Sequence, residues 1–159
     1  MAIPYRGNTG LGTYFITAST AGKRSLFQTE RMSRLFIEVL LHYRAQARYG
    51  LHEFVLMPNH FHLLITPAES LERSLQLIKG GFSFRARKEL GFVGEIWQGS
   101  FYDHSVRDVR DYDRCRDYIL NNPVKRGLVA SPDDYPYGSA AGFVLDKVPQ
   151  RLKPILVPA

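Results

Sequence analysis

The sequence contains one cysteine, no long apolar run and fewer acidic than basic residues. The lone Cys115 excludes an internal disulfide and a multi-cysteine zinc site. No apolar run approaches the roughly 20 residues of a membrane span, and the N-terminal residues lack the charged-then-apolar layout of a signal peptide. Because 159 residues with 45% hydrophobic content can bury a core, we expect a cytoplasmic protein with one main globular domain.

The charge balance favours an anionic partner. The chain has 21 Lys and Arg against 15 Asp and Glu, which gives a formal net charge of +6 at pH 7. Nucleic acid is the commonest partner of such proteins. Charge alone does not separate a nucleic-acid binder from other basic proteins, so individual motifs have to make that distinction.

Strand patterns occupy three stretches of the chain, and extended chain occupies a fourth. β-branched and aromatic residues predict the first strand, and the turn residues Pro58 and Asn59 join the second and third strands as an antiparallel hairpin. The predicted segments are 12–20, 51–58, 60–66 and the extended stretch 95–106.

Helix patterns fill the spaces between these strands, with apolar residues every three or four positions. The Gly80-Gly81 pair predicts a kink or a split in the second helix, and Pro123 is expected to end the third. The predicted helices are 28–50, 70–91 and 108–122. This order predicts an α+β fold, with a ferredoxin-like or RRM-like antiparallel sheet, helices on one face and an added C-terminal helix.

The stretch MPNHFHLLI places His60 and His62 two residues apart in the third strand. Because side chains alternate between the faces of a strand, both imidazoles project from one face and Phe61 points toward the core. Two imidazoles at this spacing can converge on one metal ion. The alternative is a pair of ordinary polar positions on an exposed sheet face.

Tyr118 is unusual for its place on the last helix. At about 100° per residue, Tyr112 lies near the centre of the apolar side, whereas Tyr118 falls beside Asp111, Arg114 and Asn122. Asn122 follows Tyr118 by one helical turn, so the two share a face. The spacing leaves two interpretations open: a site completed with the histidines, or a surface aromatic residue that shields the sheet edge.

Four blocks of the sequence resemble the signature blocks of the REP-associated tyrosine transposases, which are relatives of the single-tyrosine IS200/IS605 transposases. The blocks are VLMPNHFHLLITP, IKGGFSFRARKELG, IWQGSFYDHSVRD and YILNNPVKRGLV, and they occur in the family's order. The resemblance implies a single-tyrosine transposase domain over 1–140, with the added helix as its catalytic helix, and an irregular C-terminal tail over 141–159.

The resemblance also implies roles for individual residues. His60 and His62 match the metal-binding histidine pair, and Asn122 matches a third metal ligand. Tyr118 matches the nucleophile that forms a covalent 5′-phosphotyrosine. The implied cofactor is a divalent ion, Mg²⁺ or Mn²⁺. The implied activity is the nicking and rejoining of single-stranded DNA at hairpins of the repetitive extragenic palindrome (REP) type.

Basic residues of the second and third helices are candidates for DNA contacts, since Lys and Arg give salt-dependent phosphate contacts. The alternative is a solvated helix face. Tyr102 is a candidate for base stacking, whereas Trp97 is expected in the core. His104 is expected near the site in a supporting or DNA-contacting role. The basic candidates are Lys79, Arg85, Arg87, Lys88, Lys125 and Arg126.

Two other functions fit parts of the pattern. A non-catalytic hairpin-binding regulator would keep the fold but would not need the histidine pair, Tyr118 or Asn122. An RNA-binding module of the RRM type would place aromatic residues on its central strands. We therefore expect single-stranded DNA hairpins as the partner and no membrane association. A monomer is expected, and a dimer is left open.

Overall fold

A four-stranded antiparallel sheet lies at the centre of the structure, a computed structural model that describes residues 12–152. Three α-helices of the described residues pack on it. The strands are β1 (Tyr14–Ser19), β2 (Tyr49–Met57), β3 (His60–Pro67) and β4 (Tyr102–Ser105), and the helices are α1 (Glu30–Ala45), α2 (Leu71–Leu90) and α3 (Val109–Lys125). The strands lie in the order β2-β3-β1-β4, and the predicted α+β sandwich is confirmed.

Two predicted segments extend beyond the described residues. The N-terminal layout was predicted for residues that include 1–11, and the predicted tail includes 153–159. Both ranges lie outside the described residues. Within 12–152, no helix combines the length and the apolar character needed to cross a bilayer.

Helices α1 and α2 cover one face of the sheet and bury its apolar side chains. The rings of Phe36, Phe61, Phe82 and Trp97 pack together, with centroids 4.9 to 6.0 Å apart. Trp97 packs against this core as predicted, and its Nε1 donates a hydrogen bond to the Lys79 carbonyl at 3.0 Å. This aromatic cluster joins both helices to the sheet.

Helix α2 runs unbroken through Gly80 and Gly81, so the predicted kink or split is wrong. A Cβ added at Gly81 would lie only 2.8 Å from the Tyr43 ring of α1. Glycine therefore allows the two helices to approach closely here. The packing of Ile78 and Phe82, both fully buried, outweighs the helix-propensity penalty of about 1 kcal/mol per glycine.

Helix α3 packs on the opposite face and continues past Pro123, which was expected to end it, as far as Lys125. Proline removes the hydrogen bond to the Ile119 carbonyl, but it does so in the last turn, where little helix remains to be disrupted. The Arg126 N–H donates to the Asn122 carbonyl at 3.0 Å and closes the helix end. The buried ring of Pro123 extends the contact with the sheet.

The sheet-facing side of α3 is wider than the apolar stripe in the sequence. Tyr112 is buried as predicted and Ile119 is buried with it, but Asp111 and Asn122 are also only 4% and 2% exposed. Helical projection had placed these two residues on the polar side with Tyr118. Helix α3 therefore buries two polar residues beside its apolar row, and Tyr118 of the same helix packs on the ring of His62.

Residues 135–146 run along the free edge of β2. The Leu56 N–H donates to the Tyr137 carbonyl at 2.8 Å, and the Ser139 hydroxyl bonds with both backbone groups of Phe54. The Asp146 carboxylate accepts a further β2 N–H at 2.8 Å. These bonds cover an otherwise open sheet edge. The predicted domain division at residue 140 stays a prediction.

Candidate active site

His60 and His62 lie at the start of β3, directly after the hairpin turn. Their ring centroids are 4.9 Å apart. His62 pairs with Thr17 of β1 and Val55 of β2, so it lies in the middle of the sheet. The fully buried Phe61 between them belongs to the core on the other face, as the strand alternation predicted.

Hydrogen bonds through Nδ1 orient both imidazoles. His60 Nδ1 donates to Asn59 Oδ1 at 2.6 Å, which leaves the lone pair on Nε2. His62 Nδ1 hydrogen-bonds with the Thr17 hydroxyl at 2.8 Å, and its buried Nε2 has no partner among residues 12–152. Metal-binding histidines are oriented in the same way, because a partner on one ring nitrogen fixes the other toward the ion.

The environment keeps both histidines neutral. Burial, together with the nearby charges of Arg126 and Lys23, lowers the pKa of His60 to about 4. Burial is also the main reason why the pKa of His62 is lowered to about 3, and His60 and Arg126 contribute to this shift. Neutral imidazole is the form that binds metal ions, so neither ring has to lose a proton at neutral pH before it can act as a ligand.

Helix α3 places Tyr118 over this histidine pair. Its ring centroid lies 5.2 Å from that of His62 and 5.7 Å from that of Phe15, edge-on to both rings. Tyr118 is 40% exposed and lines an open groove of about 380 Å³ together with His60 and His62. Because Phe15 and His62 belong to the two central strands, Tyr118 does not shield a sheet edge.

Asn122 follows Tyr118 by one helical turn and is almost fully buried. Neither Oδ1 nor Nδ2 has a hydrogen-bond partner in the described part of the chain. An unpaired buried polar group costs about 1–3 kcal/mol of stability, which a ligand to the amide would recover. Two imidazole nitrogens and one carboxamide oxygen form a donor set that fits a divalent cation.

Cations and an aromatic ring complete the groove. Arg126, one of the predicted DNA-binding residues, lines it, and so does Lys23. Lys23 is not among the predicted site residues, and its only signal in the sequence is its place beside Gly22 after the first strand. Tyr102 is 61% exposed in the same groove, where a base could stack on it.

The basic residues of α2 lie away from the histidines, because α2 covers the opposite face of the sheet. Lys79 and Arg87 donate to backbone carbonyls at 2.8 and 3.0 Å, and Arg85 pairs with two glutamates. Lys88 lies over a phenylalanine ring. Their DNA-binding role, like that of the exposed Lys125, stays a prediction, and the structure does not bring the α2 residues into the groove.

A second cluster links β4 to the first turn of α3. His104 Nε2 donates to Asp111 at 2.8 Å, and the Arg107 N–H donates to the same carboxylate at 3.0 Å. Ligand atoms of His104, Asp111 and Cys115 lie within 4.8 Å of one another. Burial raises the pKa of the Cys115 thiol to about 11, which disfavours thiolate ligation. Since Arg107 and Arg114 also neutralise Asp111, we interpret the cluster as a link that anchors the start of α3.

Comparison with known proteins identifies the family of this chain. The family model described as "Transposase IS200 like" matches residues 10–122, which is most of the sequence. The chain therefore belongs to the IS200-like transposase family. The expectation of a tyrosine transposase is confirmed.

Individual relatives point to one branch of that family. The REP-associated tyrosine transposase of Escherichia coli strain K12 is 28% identical over 131 residues, covering 80% of this chain and 76% of the relative. A solved structure of a REP-associated tyrosine transposase bound to a REP hairpin has the same fold. Its TM-score is 0.74 at 23% identity, covering 99% of this chain and all of that one. The resemblance to REP-associated tyrosine transposases is thus confirmed.

Proposed function

We propose that this transposase nicks and rejoins single-stranded DNA at REP-like hairpins, with Tyr118 as the nucleophile. His60, His62 and Asn122 would hold the divalent ion, Mg²⁺ or Mn²⁺. The proposal is carried by one observation: the Tyr118 ring packs on His62 in a groove where the His62 Nε2 atom has no hydrogen-bond partner among residues 12–152. A protein that only binds DNA needs none of this arrangement.

Tyr118 supplies the oxygen that forms the new bond. Attack on a backbone phosphorus makes a bond to the phenol oxygen and breaks the bond to the 3′-oxygen of the preceding nucleotide. The phenol loses a proton and the departing 3′-oxygen gains one, which leaves a 5′-phosphotyrosine and a 3′-hydroxyl. Because the phosphodiester is conserved in the tyrosyl link, a 3′-hydroxyl can reverse the step and rejoin strands. When bound, a divalent ion supplies Lewis-acid stabilisation of the charge on the phosphate oxygens.

The proposed hairpin partner rests on the structural relative that is described as bound to a REP hairpin and on the net charge of +6. A single chain contains the whole proposed site, since Tyr118 packs on His62 and Phe15 of its own sheet. This arrangement supports action as a monomer.

A labelled hairpin with single-stranded flanks tests the proposal. The protein is incubated with 5′-labelled and 3′-labelled strands, with Mn²⁺ or with EDTA, beside Tyr118→Phe. We expect an adduct on the 3′-side fragment that needs both the ion and Tyr118. Hairpin binding without any adduct under all conditions would favour the regulator instead.

A further inference from the structure

The turn after β1 carries an exposed lysine in a strained backbone. Gly22 and Lys23 have φ angles of 62° and 53°, and the Arg24 N–H donates to the Ala21 carbonyl at 3.3 Å. Two consecutive left-handed residues closed by such a bond form a type I′ turn, which favours glycine or asparagine at both central positions. Glycine at position 23 would avoid the steric strain that lysine causes there.

The backbone of Lys23 is held by a residue that also holds the candidate active site. Asn59 Nδ2 donates to the Lys23 carbonyl at 3.3 Å, while Oδ1 of the same Asn59 accepts from His60. The Lys23 N–H donates to the Thr20 carbonyl at 3.0 Å, and the Thr20 hydroxyl donates to the Asn59 carbonyl at 3.1 Å. One side chain therefore fixes both the strained turn and the orientation of His60.

The side chain of Lys23 is available for a ligand. No carboxylate among residues 12–152 forms an ion pair with Lys23, which is exposed and lines the same groove as His60 and Tyr118. Arg85 on α2 differs, because two glutamates already neutralise it. Strained backbone that its surroundings hold in place is common where function requires it.

We propose that Lys23 binds the DNA backbone in this groove, with its ammonium group on a non-bridging oxygen of the phosphate that Tyr118 attacks or of the adjacent phosphate. The inference rests on the proposed function, which makes single-stranded DNA the occupant of the groove.

Two substitutions separate this role from a structural one. In a Tyr118→Phe background with EDTA, hairpin binding is followed by fluorescence anisotropy over a range of KCl concentrations. Lys23→Gln should weaken binding several-fold at low salt and lower the salt slope by about 0.7, the value of one phosphate contact on a single strand. Lys23→Gly should weaken binding equally while its melting temperature stays the same or rises, because glycine relieves the strain. The matched control is Lys147→Gln, an exposed lysine outside the groove, which should leave the slope unchanged.

Neutral methylphosphonate linkages, placed one at a time, locate the contact. When the methylphosphonate replaces the contacted phosphate, Lys23→Gln should not weaken hairpin binding any further. That phosphate should be the cut site or its neighbour. A salt slope that Lys23→Gln leaves unchanged would overturn the proposal. It would also be overturned if only a methylphosphonate far from the cut site cancelled the effect of Lys23→Gln on binding. If the unsubstituted protein forms no adduct while Lys23→Gln still lowers the slope, the proposed chemistry fails and the phosphate contact stands.

Discussion

Strand β3 sends Phe61 to one face of the sheet and His60 and His62 to the other, and the two faces are built differently. On the face under α1 and α2, aromatic rings pack closely and the cation Arg85 is paired with glutamates. On the face under α3, buried polar atoms lack partners among residues 12–152. The first face carries the larger apolar core and is expected to supply more of the stability, whereas the second combines a smaller apolar cluster with polar groups that are available for ligands.

The sharpest test of this comparison uses neighbouring residues on opposite faces. His62→Ala should abolish the covalent DNA adduct, because it removes a proposed metal ligand. The free energy of unfolding should fall by clearly less than in Phe61→Ala, because the lost hydrogen bond to Thr17 and the lost ring contacts with Phe15 and Tyr118 are partly offset by removal of the buried Nε2, which is unpaired among residues 12–152. The adduct is measured on gels and stability by urea denaturation. A His62→Ala protein that still forms the adduct would contradict the assignment of this face.

Phe61→Ala should show the reverse balance. Removing a fully buried ring from the aromatic cluster should lower the free energy of unfolding by about 3–5 kcal/mol. The fraction that remains folded should still form the adduct. Urea denaturation followed by circular dichroism gives the stability. A loss below about 1 kcal/mol would show that this face is not the main source of stability.

Asn122→Leu should stabilise the metal-free protein. It replaces a buried amide, unpaired within the described residues, by an apolar side chain of similar size, which should gain about 1–3 kcal/mol. Mn²⁺ should raise the melting temperature of the unsubstituted protein but have little effect on this variant. An equal Mn²⁺ shift in both proteins would exclude Asn122 as a ligand.

Of the four substitutions, Asp111→Asn should have the smallest effect. It should change how the free energy of unfolding depends on pH. Burial raises the pKa of Asp111, but hydrogen bonds from Arg107 and His104 outweigh it and leave the pKa below its ordinary value. The stabilisation is therefore present above the unfolded pKa of about 3.9 and is lost as the pH falls through the lower folded pKa. The free energy of unfolding, measured by urea denaturation at several pH values, should fall less steeply with decreasing pH in Asp111→Asn than in the parent protein. The exposed control Asp113→Asn should show the same pH dependence as the parent protein.

The fold, and the faces on which the candidate site residues lie, were predictable from the sequence because local periodicity and a few motifs carry that information. Strand alternation alone put His60 and His62 on one face, and helical spacing put Tyr118 and Asn122 on one side of α3. The motif resemblance gave these residues their chemical roles, and those roles stay predictions.

The errors at Gly81 and Asp111 share one cause, which is tertiary packing. The close approach of Tyr43 accounts for Gly81 inside an unbroken helix, and contact with the sheet accounts for the burial of Asp111. Neither contact is visible in a local pattern. Lys23 was missed for the same reason, since a hydrogen bond from Asn59 in the hairpin turn holds the turn after β1 that carries Lys23.

The most direct test of the account is to map the covalent attachment by mass spectrometry after reaction with a hairpin strand. We predict that the nucleotide is attached to Tyr118 through its 5′-phosphate, only when Mn²⁺ or Mg²⁺ is present, and not in the His60→Ala or His62→Ala proteins. Attachment to another residue, or attachment to Tyr118 that persists without the ion and without the histidines, would contradict the account.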